Sequence, residues 1–218
     1  LLIEFARDHG LPRVSWALGV DTPETVCLLR PAITSLSGTA VGPPPGAFLQ
    51  ATAVGEQAII DHVLAALPTK LYARSRVAEL YAGCGTITFA LAPKVRVAAF
   101  EGDRDAFAAL RTAANNPATG GRVEAIQRDL TRQPLLVKEL SSFAAVVLDP
   151  PHNGAPEQTA QIGASGVGTV VYVSCNPGAL ARDGLLLKQS GYRLESVTPI
   201  DQFLWSARLE SVCVFRRS

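Results

Sequence analysis

Two residues that can do chemistry follow apolar stretches in the second half of the chain. Cys175 ends "GTVVYVSC" and is followed by Asn176 and Pro177, which turn the chain, while Asp149 ends the apolar part of "AAVVLDPP". A cysteine after an apolar run is most often a small buried hydrophobe. A thiol beyond the end of its run, beside a polar turn, instead favours a reactive position. An ionised thiol is a nucleophile, and a nearby carboxylate can move a proton.

A second group of residues indicates a ligand. Gly83 and Gly85, in "ELYAGCGTITFALA", stand between a strand and a helix, where glycine lets the backbone approach a ligand and turn tightly. A dinucleotide fingerprint requires a third glycine where this chain has Thr88, so NAD and FAD are disfavoured. Glu101 ends the next strand, where a carboxylate can accept hydrogen bonds from a ribose diol. Taken alone, Glu101 could equally be a solvated strand end.

These residues depend on a regular alternation of strands and helices. Five β-branched stretches, with helical patterns between them, occupy residues 76–83, 95–102, 122–129, 144–151 and 168–175. This alternation predicts an α/β fold with a parallel sheet covered on both faces. Because parallel strands deliver their carboxyl ends to one crevice, we expect Cys175 and Asp149 to share it. The last two strand-like stretches have only a loop between them, which predicts an antiparallel hairpin.

Composition and length limit the classes of protein to which this chain can belong. The chain has 218 residues, 48% of them apolar, and a formal charge of +1, which argues neither for nor against a polyanionic partner. No apolar run approaches the roughly 20 residues that span a membrane, and no signal peptide is visible. The four cysteines form no C-x-x-C pair, so we predict no metal site and interpret the other three as buried hydrophobes: Cys27, Cys84 and Cys213.

A proline-rich stretch divides the chain. "VGPPPGAF", at residues 41–48, reads as a linker or turn, because its prolines cannot continue a helix or a central strand. We therefore expect a small partial domain over residues 1–45 and a larger domain over residues 46–218. The absence of an initial methionine suggests a fragment of a longer protein.

The combination of these motifs resembles the class I methyltransferase fold. Gly-x-Gly after the first strand, an acid ending the second, Asp129 after the third and Asp-Pro-Pro after the fourth follow in that order. The resemblance implies a doubly wound, mostly parallel sheet of seven strands that binds S-adenosylmethionine. It would place Asp129 near the adenine and Asp149 near the methionine end or the target base.

Within this fold, a thiol suggests chemistry on uracil. Carbon 5 of uracil is a poor nucleophile until a thiolate adds to carbon 6, and a base must later remove the carbon 5 proton. "DPPHNGA", "VYVSCNPGALARD" and "VTPIDQFLWSARLESVCVFRR" resemble the RNA 5-methyluridine methyltransferases, over roughly residues 45–218. The resemblance implies that Cys175 is the nucleophile and Glu210, in a loop before the final strand, the base. It also implies a set of cofactor-binding residues, namely Gln50, Tyr81, Gly83, Gly85, Thr86, Glu101, Asp129 and Asp149.

Several residues depart from the family pattern. His152 and Asn153 follow Asp-Pro-Pro where the family usually has arginine, and we interpret His152 as a surface residue. Arg208-Leu209 precedes Glu210 where the family usually reads His-Val, and "FLWS" replaces Phe-Pro-x-Thr. Thr86 stands where the family often has an asparagine. Residues 1–45 resemble the end of the family's central domain, which helps to present RNA.

Three other functions stay open at this stage. A base-amino methyltransferase also uses Asp-Pro-Pro but normally follows it with an aromatic residue, and it needs no thiol. A 5-methylcytosine enzyme would carry a cysteine directly after the fourth-strand proline, where this chain has His152. A non-catalytic relic that binds RNA or cofactor would have no reason to keep Cys175, Glu210 and Asp149 together. We expect a cytoplasmic monomer that acts on tRNA or ribosomal RNA.

Overall fold

The computed structural model describes residues 1–19 and 21–217, which begin with a helix and two small hairpins. The helix is Leu2–Asp8 (α1), and the antiparallel hairpins pair Arg13–Trp16 (β1) with Glu24–Leu28 (β2) and Thr34–Leu36 (β3) with Thr39–Val41 (β4). Residues 42–48 of the proline-rich stretch form neither helix nor strand, as the sequence predicts. Leu36 and Val41 pack into the main hydrophobic core, so the second hairpin is attached to the larger unit.

A seven-stranded sheet forms the centre of that unit. Its strands are Arg76–Leu80 (β5), Arg96–Glu101 (β6), Val123–Gln127 (β7), Ala145–Leu148 (β8), Thr169–Ser174 (β9), Tyr192–Ile200 (β10) and Glu210–Arg217 (β11). The spatial order is β10-β11-β9-β8-β5-β6-β7. The five strands from β9 to β7 are parallel, whereas β11 runs antiparallel to both of its neighbours. The predicted parallel sheet and terminal hairpin are confirmed.

Helices cover both faces of this sheet. They are Ala53–Ala66 (α2), Thr86–Leu91 (α3), Arg104–Ala114 (α4), Val137–Leu140 (α5), Pro156–Ser165 (α6) and Pro177–Gln189 (α7), with a short 3-10 turn at Pro117–Thr119. Ile59 of α2 and Leu110 of α4 belong to one apolar cluster, whereas Ile162 of α6 and Leu187 of α7 belong to another. Each cluster includes alternate residues of the central strands, as expected for the two faces of one sheet.

The valine runs explain why the central strands lie where they do. Val146 and Val147 of β8 and Val170 and Val171 of β9 are completely buried. A strand that is buried on both faces has no face in contact with solvent, so its sequence is a continuous apolar run. The polar residues that follow β8 and β9 therefore emerge together at the carboxyl edge of the sheet, where the candidate site lies.

Candidate active site

Asp149 and Cys175 follow two adjacent parallel strands, as their sequence context predicts. Leu148 of β8 is paired with Tyr172 of β9, so both strands end at the same edge. Cys175 is half-buried and has no disulfide partner, whereas Cys27, Cys84 and Cys213 are buried, as expected. Cys175 is therefore not fully buried, unlike the other three cysteines.

Glu210 reaches the same edge because β11 runs antiparallel to β9. Ser174 is paired with Ser211, so the next residues outward, Cys175 and Glu210, stand opposite one another. Glu210 is the first residue of β11, not part of a loop as the sequence suggested, and it is only 2% exposed. Burial raises the pKa of the Cys175 thiol, and the charges of Glu210 and, to a smaller extent, Asp149 raise it further.

Two amides join the two carboxyl groups of the site. Gln202 Nε2 donates to Glu210 Oε2 at 3.3 Å and to Gln50 Oε1 at 2.7 Å. Gln50 Nε2 in turn lies 3.5 Å from Asp149 Oδ2. The remaining oxygens, Glu210 Oε1 and Gln202 Oε1, are buried with no partner among the described residues. The amide bridge thus fixes one oxygen of Glu210 and leaves the other free to accept a proton.

The pKa values of both carboxyl groups are raised. Burial, followed by the charge of Glu210, raises the pKa of Asp149 to about 7. Burial also raises the pKa of Glu210, although the hydrogen bond from Gln202 opposes this shift. Removing a carboxylate from water penalises its charged form, and a second carboxylate adds to this penalty. Asp149 can therefore hold and release a proton near neutral pH.

The glycine loop between β5 and α3 forms the second part of the site. Gly85 has a φ of 101°, and a Cβ at this position would lie 2.5 Å from the ring of Phe89. Glu101 accepts hydrogen bonds from the backbone N–H of Gly83 at 2.6 Å and of Asp103 at 2.7 Å. Glu101 thus supports the glycine loop, and its half-buried carboxylate still has acceptor capacity for a ligand.

The other predicted cofactor residues surround this loop. Tyr81 is half-buried with a φ of 63°, and burial raises the pKa of its phenol. Thr86 is the half-buried first residue of α3. Asp129 follows β7, is exposed, and accepts hydrogen bonds from the backbone N–H groups of Thr131 and Arg132. A glycine loop with open space beyond Gly83, flanked by carboxylates on successive strand ends, has the acceptors that a ribose diol and an amino group would need.

Sequence reasoning missed several polar groups of the site. Glu79 lies inside β5, where Thr88 Oγ1 donates to it at 2.5 Å, and burial raises its pKa to about 8. An acid inside an apolar strand was the available signal for Glu79. Gln202 is 3% exposed, but no spacing in its polar loop distinguishes it.

His152 is the other residue whose role the sequence did not indicate. It is exposed, as expected for a surface residue, yet its Nδ1 lies 3.9 Å from the sulfur of Cys175. The loop after β8 therefore brings an imidazole, as well as a carboxyl group, to the thiol.

The chain matches the family model described as tRNA (Uracil-5-)-methyltransferase over residues 44–218. The chain belongs to this family. The tRNA (uracil-5-)-methyltransferase family comprises S-adenosylmethionine-dependent enzymes, so the resemblance seen in the sequence is confirmed.

Curated relatives support the same assignment. An uncharacterized RNA methyltransferase of Rhizobium meliloti is 47% identical over 210 residues, which are 96% of this chain and 48% of that protein. A 23S rRNA (uracil(1939)-C(5))-methyltransferase of Chromohalobacter salexigens is 35% identical over 98% of this chain and 45% of its own length. The chain thus spans about half the length of the curated relatives it matches.

A solved structure confirms the class I methyltransferase fold. The Pyrococcus abyssi tRNA (uracil-54, C5)-methyltransferase, in complex with S-adenosyl-L-homocysteine, superposes with a TM-score of 0.76 at 20% identity. The match covers 94% of this chain and 50% of that one. Among the helices of residues 1–19 and 21–217, none is long and apolar enough to span a membrane.

Proposed function

We propose that this chain carries the catalytic part of an enzyme that methylates carbon 5 of a uridine in tRNA or ribosomal RNA. The observation that carries the proposal is the meeting of Cys175 and Glu210 across the β9–β11 register, with Asp149 joined to Glu210 through two amides. A thiol nucleophile and a proton acceptor that share one crevice are what uracil C5 chemistry requires.

S-adenosylmethionine, when bound, supplies an electrophilic methyl group. The residues that would hold it are those of the glycine loop and the surrounding strand ends: Gln50, Tyr81, Gly83, Gly85, Thr86, Glu101, Asp129 and Asp149. Glu101 would bind the ribose hydroxyls, because its carboxylate lies at the loop and keeps free acceptor capacity. Gln50 would face the cofactor and Asp149 together, because it already lies beside Asp149.

The residues of the chain would act in a fixed order. The thiolate of Cys175 adds to carbon 6 of the uracil, and the electron pair displaced from the ring double bond makes carbon 5 nucleophilic. Once carbon 5 carries the methyl group, Glu210 Oε1 takes its proton. The electrons of that C–H bond restore the double bond and expel the thiolate of Cys175. Covalent addition thus replaces one difficult step with several easier ones.

A trapped adduct tests this order of events. In RNA that contains 5-fluorouracil, fluorine occupies the place of the carbon 5 proton, so Glu210 cannot complete the reaction and a covalent complex accumulates. The full-length protein with cofactor should give a heavier protein band, and mass spectrometry should find the adduct on Cys175. The Cys27→Ala variant, which lacks a buried thiol remote from the site, should still form the adduct. If Cys175→Ala retains full methylation, the covalent mechanism is wrong.

The remaining parts of the proposal concern partners and location. We infer that RNA binds over the carboxyl edge of the sheet, because the reacting groups lie there, and that residues 1–45 help to present it. We also propose a cytoplasmic monomer. A protein that binds cofactor but forms neither the adduct nor methylated RNA would instead be a non-catalytic relic of the family.

A further inference from the structure

The orientation of one amide side chain determines the chemistry of His152. Asn176 caps helix α7: its Oδ1 accepts hydrogen bonds from the backbone N–H of Gly178 at 3.0 Å and of Ala179 at 3.3 Å. Its Nδ2 donates to the backbone carbonyl of His152 at 2.8 Å. Rotating the amide would place an NH₂ group against two N–H donors and an oxygen against a carbonyl. The Nδ2 end of Asn176 must therefore face His152.

This orientation selects one tautomer of the imidazole. Asn176 Nδ2 also lies 3.2 Å from His152 Nε2, and an amide nitrogen can only donate. His152 Nε2 must therefore carry the lone pair that accepts this hydrogen bond. In a neutral imidazole the other nitrogen then carries the proton, so Nδ1–H of His152 points toward the sulfur of Cys175, 3.9 Å away.

Helix α7 holds the loop that carries His152 in place. Asp183, a fully buried residue of α7, accepts hydrogen bonds from the backbone N–H of Ala155 at 2.7 Å and from the hydroxyl of Tyr172 at 2.6 Å. A Cβ at Gly154 would lie 2.6 Å from the carboxylate of Asp183, so the loop packs closely on the helix. The hydrogen bonds of Asp183 and Asn176 thus fix the position of the imidazole.

We propose that His152 donates a hydrogen bond from Nδ1 to the thiolate of Cys175 and so increases the fraction of the enzyme with a reactive sulfur. This inference rests on the proposed function, in which Cys175 is the nucleophile. Because Nδ1 already carries a proton, His152 does not accept the thiol proton. That proton passes to solvent water, which can reach the half-buried sulfur.

The charges around the sulfur explain why such a donor is needed. Burial disfavours the thiolate, as do the charges of Glu210 on β11 and Asp149 on the β8 side, so the pKa of Cys175 is raised. Arg208, in the loop before β11, and a backbone N–H favour the thiolate but do not cancel the raised pKa. A hydrogen bond to the charged form lowers the pKa of a thiol. His152 contributes this bond beside the two acids.

The test measures the thiol itself. The pH dependence of iodoacetamide alkylation at Cys175, followed by peptide mass spectrometry on the full-length protein, reports the thiolate fraction without RNA or cofactor. His152→Phe keeps a ring but removes the donor, so alkylation near neutral pH should slow roughly tenfold, which corresponds to one pKa unit. His152→Asn places an amide N–H near the position of Nδ1 and should restore most of the rate. His62→Phe, at an exposed position of α2, should change nothing.

A second measurement does not depend on how the variants fold. Long-range ¹H–¹⁵N NMR of the histidine-labelled protein distinguishes a ring nitrogen that carries a proton from one that does not. The His152 signals should show the proton on Nδ1. A proton on Nε2 alone, or a His152→Phe variant with an unchanged alkylation profile, would overturn the proposal.

The two proposals fail in different ways. If the alkylation profile depends on His152 but no 5-fluorouracil adduct forms, the hydrogen bond is present and the proposed function is wrong. If the adduct forms and the alkylation profile is the same with and without the His152 ring, the proposed function is correct and the proposed role of His152 is wrong.

Discussion

Glu210 is the residue whose removal should divide the reaction into two halves. The carbon 5 proton leaves only after the methyl group arrives, and the thiolate cannot depart before that. Glu210→Gln keeps the size of the side chain and an oxygen for the hydrogen bond from Gln202. This variant should therefore trap unmodified uridine RNA as a methylated covalent complex, with turnover reduced by about 10²–10⁴-fold, the usual effect of losing a general base.

A denaturing gel with radiolabelled methyl donor checks this expectation. Glu195→Gln, which changes an exposed glutamate of β10, is the matched control and should turn over normally. Cys175→Ala should show no band, since it cannot form the bond. Normal turnover of Glu210→Gln without a trapped band would remove Glu210 from the mechanism and leave Asp149 as the candidate base.

The site residues differ in how far the sequence could identify them. Cys175 and Asp149 follow unbroken apolar runs, so local context already places them at strand ends. Glu210 required the family resemblance, because nothing local shows that a glutamate beside a polar loop is buried. Gln202 and the tautomer of His152 depend on side chains from distant segments, and only the folded chain brings those segments together.

At the scale of elements, helix α2 controls the position of the Glu210 carboxylate through one glycine. Gly55 lies in the first turn of α2, and a Cβ there would come within 2.6 Å of Gln202 Oε1 and 2.7 Å of Gln202 Cβ. Gly55→Ala should therefore displace Gln202 and break its bond to Glu210. Overpacking of this kind costs about 1–3 kcal/mol, and the methylation rate should fall along with the melting temperature.

Two comparison variants separate the loss of stability from the loss of rate. Gly168→Ala has no heavy atom within 4 Å of the new Cβ and should leave both stability and rate intact. Gly55→Ala combined with Gln202→Gly removes both Gln202 atoms from the new Cβ, so it should recover part of the melting temperature but not the rate. If Gly55→Ala methylates RNA as fast as the natural protein, the packing of Gln202 does not control Glu210.

The strands illustrate what patterns can and cannot predict. β8 and β9 are evident because burial on both faces leaves only valine, leucine and alanine in most positions. The order of the sheet is less evident, because the last strand in the chain inserts between β9 and β10 instead of joining the edge. No local pattern indicates this placement, which instead follows from the resemblance to the class I methyltransferase fold.

At the scale of the whole molecule, buried acids should make stability depend on pH. The pKa of Glu79 rises from an unfolded value of 4.5 to about 8. Between these values the folded chain binds more protons than the unfolded chain, so the free energy of unfolding falls as pH rises through this window. For Glu79 the loss should be roughly 2–4 kcal/mol between about pH 5 and about pH 8.

Urea denaturation across this range isolates the contribution of Glu79. Glu79→Gln cannot ionise and keeps an oxygen for Thr88, so its stability should vary less with pH than that of the natural protein. Glu24→Gln, at an exposed position of β2, should leave the natural slope unchanged. Equal slopes for Glu79→Gln and the natural protein would show that Glu79 is ionised in the folded state.

The position of β11 between β9 and β10 has a consequence for the nascent chain. Strand β10 joins the sheet only through β11, so until residues 210–217 are available to fold, β9 is the open edge of the sheet. Val171 and Val173 of β9 belong to the main apolar cluster, so this temporary edge is apolar and has unpaired backbone groups. The unpaired backbone groups of such an edge can form hydrogen bonds with strands of other chains. Nascent or truncated chains that lack β11 should therefore aggregate or engage chaperones, and the strand that delivers the proton acceptor also protects the protein from self-association.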